Sequence, residues 1–409
     1  MPIREVAEAL RIIREQIEPT SPVDVPLSPA SVGAIAAEDV QADLDSPPFD
    51  KALMDGYAVR ADDARARPNL CVVAEIRAGD SPAASIVSGE SARIFTGAPI
   101  PGGADAVVKQ EQVEVLPDGT IRLHVDVLAT GRNILKRGGE MTAGQVVISR
   151  GTRLTPAYLG LAAGLGRTAI RTYPIPQVAL ICTGDEIVEA NGPRADGQIR
   201  NTNGPMLAAL TAQAGAEPNY LGIVGDDRDR LAEVITYGLK TASMLILSGG
   251  VSVGKYDHIP EVLATIGVTT HFHQVRMKPG KPLLFGTKGA VPVFGLPGNP
   301  VSSFVCFQLF VKPALGRLTG DLAGTQSYSA KLGAALRTNN DRPTYHPALL
   351  RLNACVLTVT PLPWLGSADL RAFSRAEALI VLPAGEFVGV AGDVVTVIPF
   401  EPIPRMDAS

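Results

Sequence analysis

VALICTGDEI (178–187), YLGIVGDD (220–227), MLILSGGVSVG (244–254) and VPVFGLPGNP (291–300) decide the fold of this 409-residue chain. Each joins an apolar run of strand length to a turn rich in glycine and in acid or hydroxyl side chains. Between them lie PMLAALTAQAG (205–215), DRLAEVITYGL (229–239) and HIPEVLATIG (258–267), whose apolar residues recur at helical spacing. Strand and helix in alternation predict right-handed βαβ units and a parallel sheet covered on both faces, over residues 176–325. A further helix is expected from about Pro300.

Working outward, the period changes on both sides. After this segment, residues 326–409 return to strand-like pieces, ALLRLNACVLTVTPL (348–362), ALIVLP (378–383) and VVTVIPF (394–400), which predict a C-terminal β-domain. Upstream, 46–139 reads as an inserted β-domain, with CVVAEI, ARIF, DAVVKQEQVEV and TIRLHVDV broken by Pro-Gly-Gly at 101–103 and Pro-Asp-Gly at 117–119. Residues 1–45 and 140–175 form a discontinuous N-terminal domain. It opens on an amphipathic helix carrying Val6, Leu10, Ile13 and Ile17 and resumes with a helix capped by Thr155 with Pro156 at its first position. The whole is a multidomain α/β plus β chain.

Length and composition agree with several domains, since one hydrophobic core usually stops growing at roughly 250–300 residues. At 46% hydrophobic residues the chain can bury large cores, yet no apolar run approaches the roughly 20 residues of a membrane helix. Gly 41 and Pro 33 are enough for many shaped turns and too few for low complexity. The net charge of −4, with basic residues dispersed, argues against a nucleic-acid footprint. The opening MPIREVAEALRIIREQIE is charged every few residues where a secretory leader needs an apolar core, so a cytoplasmic protein is expected. Cys71, Cys182, Cys306 and Cys355 are far apart and flanked by apolar residues, which predicts buried free thiols. His271 and His273, alternating about Phe272 on a strand, read as packing or surface residues before metal ligands.

Ligands of an open parallel sheet bind beyond the carboxyl ends of its strands, so the turns there carry the candidate chemistry. They hold Thr183, Gly184, Asp185 and Glu186; Gly225, Asp226 and Asp227; Lys255 and Asp257; and Leu296, Pro297, Gly298, Asn299 and Pro300. One acidic turn alone reads as a helix cap. Several at one sheet edge repel unless a hard cation such as Mg²⁺ lies between them. Ser248, Gly249, Gly250, Ser252 and Gly254 form a loop whose backbone N–H groups can approach an anion. It has neither the G-K-[ST] of an ATPase loop nor the G-x-G-x-x-G of a dinucleotide site. Met277-Lys278-Pro279-Gly280-Lys281-Pro282 sets two ammonium groups beside rigid prolines, suited to phosphate. In the inserted β-domain, MDGYAV (54–59) and RIFTGAPIPGGADAVV (93–108) bring Asp55 and Thr96 into turn-rich stretches.

Taken together, PPFDKALMDGYAV (47–59), RIFTGAPIPGGADAVV (93–108), TGDEI (183–187), GQIRNTNG (197–204), SGGVSVGKYDH (248–258), MKPGKP (277–282) and GLPGNPVSS (295–303) resemble the molybdopterin molybdenumtransferase family, known as MoeA in bacteria and as the E domain of gephyrin in animals. The resemblance spans most of the chain in the family's order. It implies the same four-part organisation, with a parallel-sheet molybdopterin-binding domain and a C-terminal β-barrel-like domain. It implies a reaction in which adenylylated molybdopterin and molybdate give molybdenum cofactor and AMP with Mg²⁺. Molybdate and tungstate, nearly equal in size and charge, form one substrate class here.

On this resemblance Glu186, Asp226 and Asp257 position the metal or polarise the phosphoanhydride, and Lys278 and Lys281 neutralise phosphate or molybdate. The 248–254 loop and the 297–300 turn shape the pocket. Asp55 and Thr96 match positions that reach a neighbouring subunit's cleft in a homodimer, and Ser374, in SADLRAFSRAEAL, matches a residue facing it. Partners are the small-molecule substrates and proteins of the cofactor pathway, with neither nucleic acid nor membrane. The chain departs from the family pattern at Lys51, Ala52 and Leu53 (usually Asn-Ser-Ala), at Met141 (often Asp) and at Glu377 (Asn in Ala-Asn-Ala-Leu). Two rival readings are an adenylyltransferase, which needs only the α/β domain, and a noncatalytic cofactor-binding scaffold.

Overall fold

The computed structural model describes residues 1–66, 69–81, 85–125, 127–251, 258–321, 324–353, 356–401 and 403. Its contacts divide the chain into two compact units, one of Met1–Ala37, Gly151–Thr155 and Ala169–Ser409, the other of Glu38–Arg150 and Pro156–Thr168.

The first unit is built on a six-stranded sheet. Its strands are β1 (Gln177–Thr183), β2 (Glu217–Val224), β3 (Met244–Ser248), β4 (Thr269–Phe272), β5 (Leu284–Lys288) and β6 (Val291–Leu296), in the order β2-β1-β3-β6-β5-β4. The four strands β2, β1, β3 and β6 run parallel. β5 is antiparallel to both of its neighbours, so the edge beyond β6 departs from the all-parallel expectation. The cause is local: only Gly289 and Ala290 separate Lys288 from its partner Val291, and so short a link can join only antiparallel strands.

Alternate residues of the central strands enter two separate cores. Val178, Leu180, Met244, Ile246 and Phe294 face one, which also takes Leu207 and Leu210 of α1 (Asn203–Gln213) and Ile13 of the amphipathic N-terminal helix Val6–Gln16. Ala179, Ile181, Leu245, Leu247 and Val293 face the other, against Leu231 and Ile235 of α2 (Arg228–Thr241) and Leu263 of α3 (Ile259–Thr265). Burial on both faces is why these strands read as unbroken apolar runs. The helix predicted from Pro300 is α4 (Pro300–Cys306), extended by a π-helical turn over Phe307–Val311 and a helix over Lys312–Leu318.

The C-terminal strands Tyr328–Leu332, Thr344–Asn353, Val356–Pro361, Ala378–Leu382 and Val394–Pro399 close into a barrel around Ala330, Leu332, Val359, Ile380 and Val397. In the second unit, Ala106–Lys109, Gly56–Val59, Glu90–Ile94, Asn69–Ile76, Thr120–Leu123 and Val113–Val115 make one six-stranded sheet. Its helix Pro156–Gly164 starts on the predicted proline. No helix among the described residues is long and apolar enough to cross a membrane.

Two thiols are buried as expected, Cys182 and Cys306, but Cys71 is exposed. It occupies an outward position of Asn69–Ile76, between inward-facing Leu70 and the next turn of the alternation, where its apolar neighbours say nothing of its own direction. Cys355 lies outside the described residues. His271 donates to or accepts from the Thr287 hydroxyl at 2.9 Å, and His273 pairs with the Val251 carbonyl at 2.6 Å, so each has a protein partner.

Candidate active site

The chain passes from β1 outward to β2 and then back across to β3, so the strand order reverses between β1 and β3. A cavity of about 400 Å³ opens there, at the carboxyl ends of β1, β3 and β6. This is where an open α/β sheet leaves a crevice, because the connections diverge to opposite faces. Thr183 and Glu186 line it from β1, Ser248, Gly249 and Gly250 from β3, and Pro297, Gly298 and Asn299 from β6. Three turns picked out from sequence therefore meet in one cavity.

The glycines of the β3 turn are sterically required. Gly249 has φ +100°, and a Cβ there would stand 2.3 Å from the Thr183 carbonyl oxygen; Gly250 has φ +60°. Only glycine lets β3 bend this closely over the end of β1. Pro300 opens α4 directly after the β6 turn, with Asn299 at the N-cap.

Polar satisfaction is incomplete in the cavity wall. The Asn203 amide nitrogen donates to the Ser248 hydroxyl and to the Gly298 carbonyl, both at 2.8 Å. Since a carbonyl can only accept, the nitrogen must be the atom on that side. Asn203 Oδ1 is then left buried without a partner among the described residues, as is Thr183 Oγ1. A buried polar atom left unpaired costs about 1–3 kcal/mol, so both favour a ligand carrying complementary groups. Arg200 and Glu186 add an exposed cation and an exposed anion to the same wall, and neither side chain has a partner among the described residues.

Other nominated residues take different stations. Asp185 accepts the Asp226 backbone N–H at 3.1 Å, tying the β1 turn to the β2 turn, while Asp227 caps α2 through Arg230 N–H at 2.8 Å. Gly184, Asp185 and Asp226 thus sit at the same sheet edge without lining the cavity. Lys278 donates from Nζ to Asn340 Oδ1 in the barrel domain, and only Pro282 of its motif reaches the cavity wall, Lys281 standing just before it. Ser374 ends the short helix Leu370–Phe373 and donates to the Arg371 carbonyl at 2.9 Å. Ser252, Gly254 and Asp257 lie outside the described residues. Among the described residues no group of three His, Cys, Asp or Glu side chains is placed to hold a metal ion.

In the second unit Asp55 and Thr96 form one constellation. Asp55 Oδ1 accepts both the Thr96 backbone N–H and its hydroxyl, each at 2.7 Å, and these bonds hold the Asp55 carboxyl below its ordinary range. Two departures from the family pattern find local explanations. Lys51 pairs with Glu140 at 3.0 Å, and Ser46 donates to the same carboxylate at 2.8 Å. Glu377 accepts the Leu350 N–H at 2.8 Å and pairs with Arg351 at 2.8 Å.

Sequence reasoning gave no role to Ile187, Ile199, Arg200, Asn201, Thr202 and Asn203, which form one wall of the cavity. The signal was present in GQIRNTNG, whose density of amide and hydroxyl groups between two glycines exceeds what a loop needs. Cys182, also in the wall, is buried to the point that its thiol is pushed up to about 11.

A doubly wound α/β sheet with a polar cavity at its switch point and a closed barrel in the same unit, together in one chain with a β-rich second unit, is the architecture of a multidomain protein with a small-molecule-sized cleft. Family models match along the chain: MoeA N-terminal region (domain I and II) at residues 4–166, a probable molybdopterin binding domain at 179–317, and MoeA C-terminal region (domain IV) at 329–400. A molybdopterin molybdenumtransferase of Staphylococcus epidermidis is 34% identical over 403 residues, covering 96% of this chain and 94% of the relative. One from a Nostoc species is 37% identical over 380 residues, covering 89% and 86%. Two crystal structures of molybdopterin biosynthesis MoeA protein from Pyrococcus horikoshii are each 29% identical, with TM-scores of 0.84 and 0.81, and cover 98% and 97% of this chain and all of theirs. The chain belongs to the molybdopterin molybdenumtransferase family.

Proposed function

We propose that this protein inserts molybdate into adenylylated molybdopterin, releasing AMP and molybdenum cofactor, with Mg²⁺ as the metal. The observation that carries this reading is the pair of orphaned polar atoms, Asn203 Oδ1 and Thr183 Oγ1, in a cavity at the sheet's switch point. Asn203 Oδ1 accepts an N–H of the bound pterin or adenine, and Thr183 exchanges hydrogen bonds with a phosphate or hydroxyl. The backbone of Gly249 and Gly250 admits phosphate oxygens to close approach. Arg200 neutralises one of them from the cavity rim, and Lys278 and Lys281 draw in molybdate.

The donors present suit a hard cation only with the substrate's help. Glu186 and Asp226 supply carboxylates from adjacent turns, and Mg²⁺ commonly takes one or two carboxylates, several waters and substrate phosphate oxygens. When bound it would offset charge on the phosphoanhydride. The side chains of Glu186 and Asp226 would hold it, with Asp257 as a further carboxylate, and Asp185 would keep the Asp226 turn in position through the bond to its N–H.

Asp55 and Thr96 act on the partner's cavity in a homodimer, and Ser374 borders the cleft. The working location is the cytoplasm. Incubation with adenylylated molybdopterin, molybdate and Mg²⁺ tests the reading. Molybdate-dependent AMP release is expected; consumption of ATP with free molybdopterin would instead identify an adenylyltransferase, and binding without either reaction a scaffold.

A further inference from the structure

Two short strands, Ile187–Val188 and Ile199–Arg200, pair in parallel to form an arm outside the main sheet. The ladder is only two residue pairs long, and it is bracketed by backbone bonds from Ile199 N–H to the Glu186 carbonyl and from Asn201 N–H to the Val188 carbonyl, each 2.8 Å. Such a small ladder is marginal by itself. Yet the arm begins at Glu186 and ends at Asn203, and these residues with Ile187, Ile199 and Arg200 form one wall of the cavity. Something must hold the arm still if the wall is to have a shape.

The hydroxyl of Tyr220, on the edge strand β2, touches both halves. It donates to Glu189 Oε1 at 2.8 Å on the first half and accepts from Asn201 Nδ2 at 2.7 Å on the second. Asn201, itself 4% exposed, uses its other amide atom to accept the Gly204 N–H at 2.9 Å, which starts α1 and fixes Asn203 beside it. The amide is therefore oriented by a backbone donor on one side and the tyrosine on the other. Gly204 allows the approach: a Cβ there would stand 2.6 Å from Asn201 Nδ2 and 3.1 Å from the Tyr220 ring. Burial and the Glu189 carboxylate push the ionisation of Tyr220 upward, so the proton it donates is retained.

We propose that Tyr220 is a positioning residue: through Glu189 and Asn201 its hydroxyl latches the arm to the sheet edge and so sets the cavity wall carrying Glu186, Arg200 and Asn203. The inference rests on the proposed reading of the cavity for its effect on substrate, but the latch itself does not.

Tyr220→Phe removes one oxygen and keeps the ring against Gly204. Hydrogen exchange followed by mass spectrometry on the full chain should give about tenfold faster exchange at Ile199 and Asn201, the change expected for losing two ordinary hydrogen bonds, with the central strands unchanged. In the AMP-release assay KM for adenylylated molybdopterin should rise about tenfold with kcat within about threefold, since a loosened wall is re-formed by bound substrate. Glu189→Gln, which still accepts from the tyrosine, should behave as wild type in both measurements, whereas Glu189→Ala should resemble Tyr220→Phe. Unchanged exchange in Tyr220→Phe would overturn the latch. Faster exchange throughout the chain would reduce Tyr220 to a general stability residue and also overturn it. Faster exchange confined to the arm with unchanged KM would overturn its role in the wall. Absence of AMP release in the wild-type protein would refute the proposed function, and the exchange data would still decide whether the latch exists.

Discussion

Alanine at Gly249 and at Gly298 should separate the architecture of the cavity from its contents. At Gly249, φ is +100° and a Cβ would stand 2.3 Å from a backbone oxygen, that of Thr183. The left-handed backbone costs an L-residue about 1–2 kcal/mol, and forcing β1 and β3 apart adds about 1–3 kcal/mol as in other overpacked sites. Together these give about 2–5 kcal/mol, which for a body of this size lowers Tm by roughly 5 to 15 °C. At Gly298 a Cβ would meet, among the described residues, only the Gly249 Cα, at 3.8 Å, an ordinary contact, and the carbonyl to Asn203 is untouched. Gly298→Ala should keep Tm within about 2 °C, as a substitution without strain does. Its methyl group enters the cavity, however, so KM should rise about tenfold, the equivalent of ~1.4 kcal/mol of crowding. Calorimetry with AMP-release kinetics on both variants makes the comparison. A Gly249→Ala protein melting like wild type would refute the packing argument at the β1–β3 switch. A Gly298→Ala protein with unchanged KM would remove the β6 turn from the binding site.

Three other outcomes follow from the charged residues. Asp55→Asn should melt below wild type at neutral pH; because the Asp55 carboxyl titrates below 3.8 in the folded protein, its contribution is complete above that value and disappears as pH falls through the lower folded one, so the two melting curves should converge in acid. Lys278→Ala and Lys281→Ala should raise the molybdate concentration for half-maximal rate, and added salt should weaken the wild type more than either variant, because screening acts on the charges removed; equal salt dependence would leave these lysines as turn residues. Mixing Asp55→Ala with Glu186→Ala chains should return about a quarter of wild-type activity, since random exchange makes half the dimers mixed and a two-fold dimer with shared sites then has one intact site of two. No recovery despite exchange verified by mass spectrometry would assign each site to a single chain.

The fold was legible where burial is two-sided. Val178 to Thr183 and Met244 to Ser248 are apolar on both faces because both faces are covered, and a run bounded by glycine and acid has few other readings. The barrel strands were legible from their turns. What escaped was direction. The expected parallel sheet did not include the reversal at Leu284–Lys288, which follows from the two-residue link at Gly289 and Ala290. Cys71 escaped for a related reason, since its strand neighbours are apolar whichever face it takes.

The site divides along a similar line. Turns that end strands announce themselves, because glycine, proline and acid at a strand terminus have limited structural uses. Thr183, Ser248, Gly249, Gly298 and Asn299 were found that way and share one cavity. Tyr220 and Asn201 could not be, because the bond between them crosses 19 residues and two elements, and nothing in YLGIV marks its tyrosine as different from any half-exposed strand residue. The orphaned oxygen of Asn203 is likewise a fact of arithmetic in three dimensions: its amide nitrogen is committed to Ser248 and Gly298, and the other atom has no partner among the described residues. Residues that line a cavity at strand ends can be picked out from chemistry along the chain, whereas residues that hold that lining in place emerge only when the partners of each polar atom are counted.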